Sequence, residues 1–258
     1  MTERTFVSAS TGPVVLGLDL PMGSVHVQVL DSLTHARVTL RTADTSGPAA
    51  DAVNAARITE NGQTIAVEVP EIPGNVMMQS VRGNRITQSM GTVYGSVTGV
   101  TIINGRVISG GGTNTMTTVS PIEARVSLPA NSSLAVVSTS ADAVVDGEVD
   151  RMEFRSTSGD MQVDGARTVN ASTTSGDLTV WRVAERITAR SVSGDLSVDL
   201  YSGNDAELST TSGDVKVHAT LAASGTLRAN TVSGDVHVSG GRSLRVSAHS
   251  VSGDVRTR

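Results

Sequence analysis

The chain has 258 residues and a mass of 26.5 kDa, with five aromatics, 26 glycines and no cysteine. The missing cysteine excludes disulfides, thiol catalysis and Cys-ligated metals, and a net charge of −5 excludes the basic face that a nucleic-acid binder needs. Charged residues at 17% exclude a coiled coil or a charge-rich disordered chain, and scarce aromatics beside plentiful Val, Ala, Ile and Leu point to thin β layers.

The start, Met1-Thr2-Glu3-Arg4-Thr5-Phe6, lacks a basic segment followed by an apolar one, so no secretory signal is expected. No stretch approaches the ~18 apolar residues of a membrane span. The expected location is the cytoplasm, with peripheral envelope association as the alternative. Residues 1–71 read as a divergent β region, in which Gly23-Ser24-Val25-His26-Val27 mimics the later Gly-Asp-Val-x-Val as a divergent coil would. Val14–Leu20, Ser24–Leu30 and Ala36–Arg41 alternate or run apolar. Ala49–Ala56 is a candidate helix after Pro48, and Arg57–Glu60 with Gln63–Val69 forms a hairpin turning at Asn61-Gly62.

Residues 72–120, and on to Ile122, contain no Asp or Glu. They carry Arg82, Arg85 and Arg106, four of the eight methionines (Met77, Met78, Met90 and Met116), and an Asn104-Gly105 hairpin signal. Two readings stand. The segment is a Gly-rich β extension packed along the rest, with Met filling gaps. Or Met77, Met78, Arg82 and Arg85 belong to a contact surface for an acidic protein partner or a membrane. Three arginines anchor weakly to a membrane, at ~1 kcal/mol each.

Residues 121–258 repeat. Ser-Gly-Asp begins at Ser158, Ser175, Ser193, Ser212, Ser233 and Ser252, spaced by 17, 18, 19, 21 and 19 residues, and a degraded copy, Ser140-Ala141-Asp142, precedes them. Such a period marks a solenoid. Three residues after each Ser stand Met161, Leu178, Leu196, Val215, Val236 and Val255. Five after stand Val163, Val180, Val198, Val217, Val238 and Thr257, with polar residues between. Two before, every residue is Ser or Thr. This alternation is that of strands with one buried face. Each unit holds two strands, joined at Ser-Gly and at a variable link such as Asp164-Gly165-Ala166-Arg167. One unit cannot bury its apolar face alone, but stacked units can. The expected fold is all-β: a flattened parallel β-solenoid, a single-stranded β-helix of right-handed winding, with about seven coils of about 19 residues. The recurrent Gly is expected to supply positive φ at the corner.

The pattern Ser-Gly-Asp-Val-x-Val resembles the bacterial β-strand-repeat family called "putative adhesins", a domain of largely unknown function. The segments Asn104–Gly110 and Arg125-Val126-Ser127-Leu128-Pro129 fit it as well. The resemblance implies a β-helical fold and no established enzymatic activity. Some members are linked to cell-envelope stress responses, and others carry only the adhesin label.

Candidate chemistry is sparse, and no cofactor is expected. Asp160, Asp177, Asp195, Asp214, Asp235 and Asp254 are expected to stack as a ladder along one corner. Like charges about 4.8 Å apart repel by ~0.9 kcal/mol even in water. Turn hydrogen bonds and nearby cations relieve that; a row of Ca²⁺ sites is the sharper alternative. His26, His35, His218, His237 and His249 lack helical metal spacing. No Gly-x-Ser-x-Gly elbow exists. The last coil offers an apolar cross-section and unpaired strands, which invites addition. Val238, Val255, Arg256 and Arg258 are the candidate contact residues, and a homodimer is favoured over a filament. The expected function is a non-enzymatic structural or interaction module, adhesin-like and self-associating. The alternative is an envelope stress-associated protein using residues 72–122.

Overall fold

The computed structural model describes residues 1–72, 76–82, 85–90, 100–103, 106–109 and 117–258, with backbone pairing alone for the strands between 76 and 109. It is a β-solenoid with one short helix. Each winding lays one strand on each of two opposed faces. On the first face, Met161, Leu178, Leu196, Val215, Val236 and Val255 pair in parallel register, as do Val163, Val180, Val198, Val217, Val238 and Thr257. On the second face, Met152, Val169, Ile187, Ala206, Leu227 and Val246 align, followed by Phe154, Ala171, Ala189, Leu208, Ala229 and Ala248. Up to Val238 these columns are buried and form one continuous core. The period of two sends every other side chain inward, and the repeat length keeps like residues above like.

The links do not break the strands as expected. Ser140–Arg155, Met161–Ser172 and Leu178–Arg190 run unbroken through that corner. The reason is a further buried column: Val149, Ala166, Val183 and Tyr201 stack where the chain bends.

The Ser-Gly-Asp corner meets the expectation in half of its copies: Gly213, Gly234 and Gly253 have φ of 156°, 148° and 156°, whereas Gly159, Gly176 and Gly194 do not have positive φ. Glycine is required there by close approach: a Cβ on Gly176 would lie 2.2 Å from the Gly159 carbonyl oxygen, and one on Gly194 would lie 2.0 Å from that of Gly176. The Ser/Thr column is explained at its last three members by hydrogen bonding, while the Thr173 and Ser191 hydroxyls are buried without a partner among the described residues. Thr210, Thr231 and Ser250 donate their hydroxyls to the carbonyls of Gly194, Gly213 and Gly234 at 3.1, 3.0 and 2.8 Å.

The N-terminal region shares the sheet with the repeats. Gly23-Ser24-Val25-His26-Val27 lies in parallel register with Ala141–Val145, as its likeness to the repeat predicts. Its other neighbour is Glu123–Pro129. On the opposite face, Val15–Asp19 lies between Thr64–Glu68 and Ser133–Val137. Residues 15–30 therefore fill a place in the stack that the later chain leaves open between Pro129 and Ser133. The first end is closed by antiparallel strands. Arg37–Thr42 pairs with Glu123–Ser127, and Thr2–Val7 pairs with Arg37–Thr42. The predicted hairpin forms from Arg57–Asn61 and Thr64–Glu68. Asn61 pairs with Thr64, so the turn is Gly62-Gln63, with Gly62 at φ 58°. The helix Pro48–Ala55 buries Ala49, Ala50, Ala52 and Val53 against this end, with Pro at its first turn, where its missing N–H is harmless. Arg41 Nε holds the cap to the stack through Glu123 Oε2 at 2.9 Å.

In the acid-free segment, Val76–Arg82 pairs antiparallel with Arg85–Met90 and parallel with Thr117–Val119. Val100–Ile103 and Arg106–Ser109 pair antiparallel around the Asn104-Gly105 signal, which itself lies outside the described residues.

Candidate interaction surfaces

The aspartate ladder forms, and its hydrogen bonding answers the repulsion problem. The backbone N–H of each Asp donates to Oδ1 of the Asp one coil earlier: Asp177 to Asp160 at 2.9 Å, Asp195 to Asp177, Asp214 to Asp195 and Asp235 to Asp214 at 2.8 Å, and Asp254 to Asp235 at 2.9 Å. Asp160 donates in turn to Asp142 at 3.0 Å, so the degraded copy starts the ladder. A charge-assisted bond from the next coil stabilises each carboxylate from Asp142 to Asp235, although burial, with the charge of Asp160, still leaves the Asp142 carboxyl above its ordinary range. Lys216 and Arg256 add ion pairs to Asp214 and Asp254 at 3.5 and 3.2 Å. Each carboxylate up to Asp235 thus ties its coil to the next. Among the described residues, no three His, Asp or Glu side chains converge as a metal site.

Of the histidines, His26 meets Asp146 at 3.1 Å, and His218 Nδ1 lies 2.9 Å from Ser239 Oγ. A groove near the first end collects Asp19, Glu68 and Glu71. Desolvation, then the charges of Glu68 and Glu71, push the Asp19 carboxyl above its ordinary range. Tyr201 is raised to about 12, chiefly by desolvation.

The last coil is different from those inside. Val236 and Leu227 are wholly buried, whereas their successors Val255 and Val246 are 42% and 36% exposed. The strands Ser243–Ser252 and Val255–Thr257 pair on one side with Ser224–Ser233 and Val236–Gly240, and their outer edges have no partner among the described residues. Val255 thus stands at the surface as expected. Val238 does not. It lies beneath Thr257 at 1% exposure, because the last short strand covers it. It belongs to the core, and Val246 takes its place as the second residue of a core column that the last coil leaves open. Arg256 pairs with Asp254, and the Arg258 backbone N–H donates to the Val238 carbonyl at 3.0 Å. The side chains of Met77, Met78, Arg82 and Arg85 lie outside the described residues.

Sequence reasoning passed over Trp181, the one tryptophan of the chain. It is 53% exposed on the first face, between strand positions occupied by Asp164 and Asp199. The signal was present: its place two before Val183 and one after Val180 is an outward one.

No helix among the described residues is long and apolar enough to cross a membrane. Comparison with curated proteins finds no match. Three crystal structures are similar over nearly the whole of their length. A "putative adhesin" from Bacteroides fragilis NCTC 9343 has a TM-score of 0.51 at 12% identity, covering 100% of this chain and 97% of its own. A "putative adhesin" from Parabacteroides merdae ATCC 43184 has 0.45 at 11%, covering 100% and 96%. A "putative cell adhesion protein" from Clostridium sporogenes ATCC 15579 has 0.45 at 7%, covering 84% and 99%. The first of these shows the fold. The family model described as Toastrack DUF4097 matches residues 29–258, which span most of the cap, the acid-free segment and every repeat. The chain belongs to the Toastrack DUF4097 family.

Proposed function

We propose that the protein is a non-enzymatic, adhesin-like binding module that associates with a second copy of itself through its last coil. The observation that carries this reading is the contrast between coils: positions buried everywhere inside the stack are open at Val246 and Val255. Exposed apolar surface beside unpaired backbone groups favours addition of another strand edge. The two ends are unlike, which selects the geometry. The first end carries antiparallel strands and a helix, with Glu3 and Arg4 on its outermost strand. It offers no parallel, apolar rung for a head-to-tail contact. Like ends therefore meet, giving a closed twofold dimer. The adhesin description of the Bacteroides fragilis structure agrees with a role in binding.

Sedimentation at rising protein concentration tests this. The expected result is a dimer of about twice the 26.5 kDa chain mass, converted to monomer by Val246→Asp with Val255→Asp at unchanged far-UV circular dichroism. A monomer at every concentration, or open-ended polymers, would refute the reading.

A further inference from the structure

The first face of the solenoid carries two outward columns. One of them passes through Asp164, Trp181 and Asp199, as fixed by the paired core positions on either side, with Asp146 and His218 beyond them across register shifts. Asp146 is engaged by His26. Arg182, beside Trp181 in the chain, is engaged by Glu148. Asp164 accepts the Gly147 backbone N–H at 3.0 Å through Oδ2. Neither Asp164 nor Asp199 takes part in an ion pair among the described residues, and the Trp181 indole N–H has no hydrogen-bond acceptor among them. Half-exposed indole thus sits at the centre of a row, with an unpaired carboxylate one rung away on each side.

An exposed indole on a flat sheet has two common uses. It stacks on the C–H face of a sugar, or on a cation. The flanking charges decide between them. A neutral sugar leaves both carboxylates uncompensated, whereas a cation gains from the indole face and from both carboxylates together. Shape then selects among cations. The two carboxylates stand on rungs about 9.6 Å apart, twice the strand spacing. An ammonium is compact and bonds one side at a time. A guanidinium is planar, stacks on the indole and directs N–H groups outward in its plane toward both sides.

We propose that Trp181, Asp164 and Asp199 form a binding site for the guanidinium of an arginine presented by a partner polypeptide. Trp181 supplies the stacking surface. Asp164 and Asp199 accept the in-plane N–H groups. The site lies on the flat face several coils from the last one, so it remains open when two copies meet end to end.

The single tryptophan makes its own fluorescence the readout. The full-length protein is titrated with a tetra-arginine peptide, a tetra-lysine peptide and a neutral oligosaccharide. Expected is a saturable change with tetra-arginine, with tetra-lysine about tenfold weaker and the sugar silent. In Asp164→Asn with Asp199→Asn, where Trp181 still reports and Asn can still accept from Gly147, affinity for tetra-arginine falls about tenfold or more. Glu207→Gln, on the opposite face, leaves it unchanged. No response to tetra-arginine, equal response to both peptides, a response to the sugar alone, or an unchanged titration in the folded double variant would overturn the proposal.

Discussion

At the residue scale, close approach dominates. Gly176 and Gly194 sit where a single methyl group would overlap the carbonyl of the coil below. Gly176→Ala is expected to lower stability by about 1–3 kcal/mol through forced backbone displacement, read as a lowered midpoint in urea. Tyr201 is a milder case. Its ring is wholly buried, and its hydroxyl has only the Asp205 backbone N–H close by, outside good hydrogen-bond geometry. Tyr201→Phe should therefore cost little, changing stability by no more than about 1 kcal/mol, which calorimetry reads as a small change of Tm. Two carboxylates give pH signatures of opposite sense. Glu60 accepts from the Ser8 hydroxyl at 2.6 Å and from the Ala9 and Ser10 backbone N–H groups at 3.1 and 3.2 Å. The Ser8 bond is the main cause of its lowered pKa. Its contribution is therefore present above the unfolded-state pKa and is lost as pH falls through the folded value. Glu60→Gln should lower Tm at pH 7 and leave it unchanged in strong acid. Asp19, raised by desolvation and by Glu68 and Glu71, binds its proton more tightly when folded, so its charged form costs stability as pH rises through the folded value. Asp19→Asn should raise Tm at pH 7, with the difference vanishing below both pKa values.

At the element scale, the repeat makes stability nearly one-dimensional. Each coil contacts its two neighbours, so loss of one contact weakens the stack locally. Val180 lies between two buried neighbours, Val163 and Val198. Val180→Thr, which puts a hydroxyl into that column, should destabilise the protein far more than Val255→Thr at the open end. Hydrogen exchange in the monomer should be fastest from Ser243 onward and slow progressively inward. Much of this was legible in the sequence. Six copies of one tripeptide, with apolar residues at +3 and +5, identify the strands, the faces and the register, because a period of two and a nearly constant coil length leave little freedom. The helix after Pro48 and the likeness of Gly23–Val27 to the repeat were legible for the same local reasons. The link corner was not. Its residues alternate irregularly, and only the stack reveals that Val149, Ala166, Val183 and Tyr201 meet. The burial of Val238 escaped for a related cause: the coverage of one strand by the next depends on where the following strand ends. Trp181 escaped because the apolar columns drew attention inward, while a single outward aromatic breaks no pattern.

At the scale of the whole molecule, the two ends and the two faces have separate tasks. The first end is sealed by reversing the chain, through Thr2–Val7, Arg37–Thr42 and the Arg57–Glu68 hairpin. The last end continues the parallel geometry to its limit. One flat face carries the Trp181 row, and the Ser-Gly-Asp corner carries the aspartate seam. A protein divided in this way works by presenting rows of side chains at fixed spacing. Removing the seam tests the division: Asp195→Ala leaves the Asp214 N–H without its acceptor and should cost about 1 kcal/mol of stability, without altering self-association or the Trp181 titration.

The strand Met22–Leu30 waits for neighbours that lie about a hundred residues later in the chain. Glu123–Pro129 must arrive on one flank of Met22–Leu30 and Ser140–Asp146 on the other. At ribosomal speeds of about 5–20 residues per second, roughly 6–23 s separate the synthesis of Leu30 from that of Asp146. Throughout that interval Val25 and Val27 have no lasting shelter, while later windings gain theirs from the one just made. The strand Met22–Leu30 is thus secured long after it is synthesised, and a nascent chain arrested before residue 123 should be the form most prone to clump or to be held by chaperones.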